Sequence, residues 1–178
     1  DDLETYNHAL VGRISALARA QASLASRKWE GGRLEDGVRE EIEALCPKDS
    51  VEVKGPEVEL SPEQVQPISM LLHELATNAA KYGSLSVPGG CVTVRWSQMN
   101  ETLAKIEWVE SGGPSVSKPM RRGFGTDLIE KIVAHELRHP VELEFAPEGV
   151  RCTLLVPVRK PREFELRKKG PSGRGRGH

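Results

Sequence analysis

Glu74, Asn78 and Lys81 recur at i, i+4 and i+7, a spacing that stacks their side chains along one side of a helix. A carboxylate, a neutral amide and an ammonium in a row make an unusual face. Mg²⁺ takes oxygen ligands and keeps most of its waters and its substrate's phosphates, so a neutral amide oxygen suits it. A neighbouring carboxylate can order those waters or a nucleophile, and an ammonium meets phosphate charge. The chemistry implied is a metal–phosphate platform; the plainer reading is an amphipathic helix with a solvated side. Two further stretches carry chemistry. In Trp108-Val109-Glu110-Ser111-Gly112-Gly113 a carboxylate ends a strand-like segment before a glycine turn. Buried there, it could accept a hydrogen bond from an exocyclic amine such as adenine N6, with glycines leaving room for a flat ring. In Arg122-Gly123-Phe124-Gly125-Thr126 bare backbone amides open a helix and suit a phosphate; a simple turn is the alternative.

These groups need elements to hold them. The first trio lies in 61–83, a stretch that marks both of its ends. Ser61 is a good N-cap, Pro62 suits the first turn, and Gln64 completes a capping box. Gly83 fits the residue just past a helix end. Between them Val65, Ile68, Leu72, Leu75 and Ala79 form one buried stripe. Upstream, Leu3, Leu10, Leu17 and Leu24 fall at intervals of seven and predict a long bundle helix over 2–27. Trp29-Glu30-Gly31-Gly32 breaks it. Leu34, Val38, Ile42 and Leu45 predict a second helix stopped by Pro47. Val51 to Val53 alternates as a strand, Gly55-Pro56 turns it, and 58–60 is extended. Downstream, 85–90 reads as a loop, and 92–96 and 104–108 alternate as strands. A helix carrying Leu128, Ile129, Ile132, Val133 and Leu137 follows Thr126. Strands at 141–145 and 150–158 close the pattern, with Pro157 at its end. Helices alternating irregularly with strands in antiparallel-looking pairs predict an α+β fold. It is a two-layer α/β sandwich, a mixed or antiparallel sheet with helices on one face, preceded by a bundle helix.

Composition narrows the function. At 178 residues, with 38% apolar and 4% aromatic content, the chain suits one domain with a core of Leu, Val, Ile and Ala. No apolar run approaches the roughly 20 residues that span a bilayer. The absence of an initiator Met and of a signal peptide predicts a fragment of a longer, cytoplasmic protein. Cys46, Cys91 and Cys152 lie in no metal-ligand spacing; Cys91 and Cys152 fall in strand patterns and read as buried thiols of a reducing compartment. The net charge of −1 hides an asymmetry. From Arg159 onward eight Lys or Arg face two Glu, leaving about −7 for residues 1–158. An acidic body is no natural partner for nucleic acid. Residues 159–178 read as a basic, disordered tail.

Taken together, the motifs resemble the ATP-binding domain of the GHKL superfamily, shared by gyrase, the ninety-kilodalton heat-shock chaperone and sensor histidine kinases. The resemblance is nearest to the HWE histidine kinases, named for a His in the central helix and a Trp-x-Glu motif. Here these read His73-Glu74-Leu75-Ala76-Thr77-Asn78-Ala79-Ala80-Lys81-Tyr82-Gly83 and Trp108-Val109-Glu110. Gly55-Pro56, Gly112-Gly113-Pro114 and Arg122-Gly123-Phe124-Gly125-Thr126-Asp127-Leu128-Ile129 extend it over roughly residues 10–158.

The resemblance implies a role for each matching residue. Asn78 would be the Mg²⁺ ligand bridging the ATP phosphates, and Glu74 would sit near that metal and its waters. Lys81 and Tyr82 would line the phosphates and ribose. Glu110 would take the place of the usual adenine-reading Asp. Gly112, Gly113, Arg122, Gly123, Phe124, Gly125 and Thr126 would shape the pocket and phosphate loop, with His73 beside the site. Residues 1–30 resemble part of a dimerisation and phosphotransfer helix, 31–158 the catalytic domain. No His, His8 included, has the family's acceptor motif around it. The implied activity is transfer of the ATP γ-phosphoryl to a histidine, for relay to a response-regulator aspartate. The implied partners are a receiver domain, upstream sensor and acceptor-helix segments, and a second copy in the full-length protein. The alternatives are an ATPase or Ser/Thr kinase with Glu74 as base, or an ATP-sensing module without turnover.

Overall fold

The computed structural model describes residues 32–43, 45–116 and 124–158, with backbone alone for 124–129. The bundle helix expected over 2–27, the residues Arg122 and Gly123, and the tail from Arg159 lie outside the described residues, as do the side chains of Phe124 and Thr126.

Strand alternation builds the sheet. β2 (Val51–Lys54), β4 (Cys91–Asn100), β5 (Leu103–Ser111), β6 (Val141–Ala146) and β7 (Gly149–Pro157) form one five-stranded sheet in the order β2-β4-β5-β7-β6. β2 pairs parallel with β4 and every other pairing is antiparallel, so the sheet is mixed. Along β4, β5 and β7 every second residue points to one side: Val92, Val94 and Trp96, Ala104, Ile106 and Trp108, Cys152, Leu154 and Val156 are all buried. The alternate positions are less buried and include Arg95, Lys105, Glu107 and Arg151, with Leu103, Val109 and Leu155 among them. Burial on one side only is the signature of a single helix layer.

That layer is α1 (Leu34–Glu43), α2 (Pro62–Lys81) and α3 (Phe124–Leu137). α2 packs against both of the others, α1 also meets β2, and α3 meets β6 and β7. Its buried stripe includes Val65, Ile68, Leu71, Leu72, Leu75, Ala76 and Ala79, which join the sheet residues in one core. The helix starts where local chemistry dictates. The Ser61 amide donates to Gln64 Oε1 (2.7 Å), and the Ser61 hydroxyl donates to Glu63 Oε2 (2.9 Å). A small ladder of β1 (Gly32–Arg33) and β3 (Glu59–Leu60), absent from the sequence pattern, closes off α1.

Four expectations need adjustment. α1 ends at Glu43, before Leu45; the residues ahead of Pro47 are biased away from helical geometry, Leu45 is exposed, and Cys46 is buried in its stead. Cys91 is only half-buried, its Sγ 3.0 Å from Ser111 Oγ, whereas Cys152 is fully buried and burial pushes its thiol up to about 12. The loop after α2 contains a short 3₁₀ turn, Ser84–Ser86. Gly83 has φ −101°, not the left-handed geometry of many helix-ending glycines.

Candidate functional site

The polar side of α2 carries Glu74 and Asn78 one turn apart, linked by a hydrogen bond from Asn78 Nδ2 to Glu74 Oε1 (3.1 Å). A carboxylate only accepts, so this bond fixes the amide's orientation: the NH₂ faces Glu74 and Oδ1 faces away. The pair therefore presents a neutral oxygen beside a carboxylate, the donor set that a hard cation with retained waters takes. Lys81 projects from the last turn, exposed, and Tyr82 at the C-cap is 76% exposed. Glu74, Asn78, Lys81 and Tyr82 thus share one end of one helix.

His73 is placed differently. It lies about 100° around the helix from Glu74, with Nδ1 4.0 Å from Glu41 Oε2 of α1. The Glu41 carboxyl is raised by burial, while the nearby Ser69 hydroxyl and the facing His73 pull it down and Glu40 pushes it up. His73 joins α1 to α2 rather than standing on the Glu74–Asn78 face.

Glu110 comes from the end of β5 and is 3% exposed. Its Oε2 accepts the Ser84 amide (2.9 Å), and its Oε1 accepts the Trp108 indole N–H (3.3 Å). Burial raises its carboxyl, against the Ser84 amide, the Trp108 indole and the Ser84 hydroxyl, all of which lower it. That hydroxyl is buried with no well-formed partner of its own. The glycines around it are there for close approach. A Cβ on Gly83 would overlap Glu110 Oε2, and one on Gly113 would overlap Ser84 Cα. Gly112 has φ +71°, and a Cβ on it would meet the Gly89 carbonyl oxygen at 2.7 Å. The glycine turn of residues 112–113 is thus packed onto the 83–90 turn that leaves α2.

Of the residues singled out from the sequence and from its resemblance, the fold brings Glu74, Asn78, Lys81, Tyr82, Glu110, Gly112 and Gly113 to the C-terminal half of α2 and the turn that leaves it. Sequence reasoning missed Ser84, Glu41 and Gly149, where a Cβ would overlap the Glu110 carbonyl oxygen. Only the turn signal of Glu148-Gly149 hinted at the last. Among the described residues no cluster of three or more His, Cys, Asp or Glu could hold a metal. No helix among them is long and apolar enough to cross a membrane.

Residues 1–57 match the family described as HWE histidine kinase. A blue-light-activated histidine kinase of Brucella anthropi is 35% identical over 165 residues, covering 88% of this chain and 33% of that protein. The chain therefore spans about a third of the length of the curated relatives it matches. Among solved structures, the Erythrobacter litoralis EL346 blue-light activated histidine kinase superposes with a TM-score of 0.57 at 17% identity, over 70% of this chain and 40% of that one. The histidine kinase ThkA, solved in complex with the response regulator protein TrrA, superposes with a TM-score of 0.53 at 17% identity, over 88% and 52%. The ThkA catalytic domain alone is covered over 97% of its length and 74% of this chain, with a TM-score of 0.52 at 19% identity. By its sequence matches this chain is similar to the HWE histidine kinases, and its sheet and helices have the fold of a histidine kinase catalytic domain.

Proposed function

We propose that this chain is the ATP-binding catalytic region of a cytoplasmic two-component sensor histidine kinase. It binds ATP with Mg²⁺ and passes the γ-phosphoryl group to a histidine nitrogen, for relay to an aspartate of a response regulator. The observation that carries the reading is the Asn78–Glu74 pair, whose hydrogen bond leaves the amide oxygen free on the polar side of α2. Asn78 Oδ1 would hold the metal, and Glu74 would order its waters. The bound cation would neutralise charge on the triphosphate. Lys81 adds a second positive charge at the same helix end, and Tyr82 lines the phosphate and ribose side. Glu110 reads the adenine amine through a lone pair that its two protein donors leave over, and Ser84 lies beside it. Gly112 and Gly113 keep the pocket floor flat, while His73 faces α1 and takes no part in the contact. Arg122, Gly123, Phe124, Gly125 and Thr126, whose motif resembles the family's glycine loop, would serve the phosphates. There is little covalent chemistry for the protein to do in such a transfer; positioning and charge stabilisation are its contribution. The chain works as a homodimer with sensor and acceptor segments of the longer protein.

The test pairs binding with transfer. Titration calorimetry with and without Mg²⁺ is expected to show Mg²⁺-dependent ATP binding. Asn78→Ala should remove that dependence, at a cost on the order of 1–3 kcal/mol for the lost ligand and its hydrogen bonds. With radiolabelled ATP and an added acceptor helix, an acid-labile, alkali-stable label should appear on the acceptor and vanish in Asn78→Ala. Unchanged Mg²⁺ dependence in the variant refutes the platform. Phosphate release without phosphohistidine refutes the transfer. Strong self-labelling lost in His8→Ala refutes the reading that the acceptor lies outside this chain.

A further inference from the structure

We propose that Glu110 is also a positioning residue, one that sets how the chain leaves α2 and so where Lys81 and Tyr82 stand against the phosphates. This rests on the reading of the α2 polar side as a phosphate platform.

The end of α2 is closed by successive amides. Tyr82 N donates to Asn78 O (2.8 Å), and Gly83 N donates to Asn78 O (3.0 Å) and Ala79 O (3.1 Å). The next amide, Ser84 N, has left the helix and is held by Glu110 Oε2, from a residue 26 positions away. A side chain of β5 thus supplies the third link of the helix cap. Trp108 lies two residues earlier on the same side of the strand and donates to the other carboxylate oxygen. Trp108 and Glu110 therefore act as a unit, and Gly83 is the gap that admits it.

Length matters in this arrangement. An aspartate at the same backbone position is shorter by one carbon–carbon bond, about 1.5 Å, and a 2.9 Å contact lengthened by even half of that is no longer a hydrogen bond. Stability alone would not select the site. A buried carboxylate at a helix C-terminus faces the negative end of the helix dipole, and its charge is disfavoured by desolvation. The position is explained by what the carboxylate holds. A residue 3% exposed with a protein donor on each oxygen has most of its capacity turned inward.

Glu110→Asp is the discriminating variant, because it keeps a carboxylate for an adenine amine while giving up the reach to Ser84. Three quantities are measured on the whole chain: MgATP affinity, MgGTP affinity, and the hydrogen-exchange rate of the Ser84 amide. Exchange at Ser84 is expected to speed up. Both affinities are expected to fall by the same factor, roughly three- to tenfold, leaving the ATP-to-GTP ratio unchanged. Trp108→Phe, which keeps the carboxylate and removes one donor, should move both readouts the same way by less. In a Lys81→Ala background Glu110→Asp should cost little further affinity, since its effect runs through Lys81; a general loss of structure would add in full. The proposal is overturned if ATP alone weakens and the ratio collapses with Ser84 exchange unchanged, which would make Glu110 a base reader only. It is overturned equally if no readout moves, or if the losses add in the Lys81→Ala background. If the wild type binds neither nucleotide, the platform reading and this role fall together, and faster Ser84 exchange in Glu110→Asp would then mark a purely structural clasp.

Discussion

Gly83→Ala looks harmless from the backbone and should be one of the more damaging substitutions in the domain. Gly83 has φ −101°, which alanine adopts without strain. If the glycine merely ended a helix, the change would stabilise the protein by about 0.4–1 kcal/mol through the unfolded chain. The structure says otherwise. The new methyl would take the space of Glu110 Oε2 and stand 2.9 Å from Ala79 Cα. The backbone of α2 is fixed by its packing, so the carboxylate must move. Its hydrogen bonds from Ser84 N and Trp108 Nε1 go with it, leaving a buried charge under-satisfied. Two charge-assisted bonds of this kind set the loss on the order of 2–4 kcal/mol, or roughly 8–15 °C in Tm for a domain of this size. Thermal and urea unfolding of Gly83→Ala, Glu110→Ala and the double variant measure it. The cost of Gly83→Ala should shrink by more than half in the Glu110→Ala background, since the clash has lost its partner. A neutral or stabilising Gly83→Ala, or costs that simply add, would refute the reasoning.

Two other outcomes follow from the same coordinates. Glu110 and Glu41 are both raised by burial, so each binds its proton more tightly in the folded chain than in the unfolded one. Stability is then lost as pH climbs from the ordinary carboxylate range through the folded values. The stability of wild type relative to Glu110→Gln should therefore fall as pH rises, read from urea midpoints across that range; the opposite slope would mean that the donors, not burial, dominate. Arg138 is the one non-glycine residue with positive φ among those described, at 56° just past α3. Arg138→Gly should relieve about 1–2 kcal/mol of left-handed strain, less the 0.5–1 or so that glycine loses in entropy. A rise in Tm of about 2–4 °C in differential scanning calorimetry is expected.

How much of this was legible beforehand divides along the range of the interactions. The start of α2 was readable because Ser61, Pro62 and Gln64 bond within one turn. Strands β4, β5 and β7 were readable because their alternation repeats every two residues. The Glu74–Asn78 contact was readable because i and i+4 must meet on a helix. What the sequence concealed is non-local. Nothing near Glu110 announces that its carboxylate caps a helix 26 residues upstream. Gly83 was correctly placed just past the end of α2, but the reason a glycine is needed there, the close approach of Glu110 Oε2, is not local. His73 was placed beside the site by the family resemblance alone, whereas 100° of helical rotation from Glu74 turns it toward Glu41. Leu45 kept the apolar period of α1, yet the chain ahead of Pro47 had already left the helix. Cys91 was grouped with the apolar strand pattern, but it is out of phase with Val92, Val94 and Trp96 and so lies on the face of β4 turned away from the core.

The parallel pairing of β2 with β4 also bears on how the molecule comes together and apart. β4 and β5 are joined by a tight turn and can zip locally, as can β6 and β7. β2 has no such neighbour: Val51 pairs with Val92 only after the whole of α2 has crossed between them. Such a pairing carries the loop-closure cost of a long connection, so β2 is expected to dock late in folding. It is also a four-residue edge strand, stapled by the Trp96 indole bond to the Pro56 carbonyl (2.7 Å) and by Gly55 against the Trp96 ring. When that staple opens, β4 becomes the edge of the sheet, and Val92 and Val94, wholly buried in the closed state, border an unpaired strand. An unprotected edge with apolar residues on one side is a template for another chain. The strand that closes the sheet last therefore guards it against self-association.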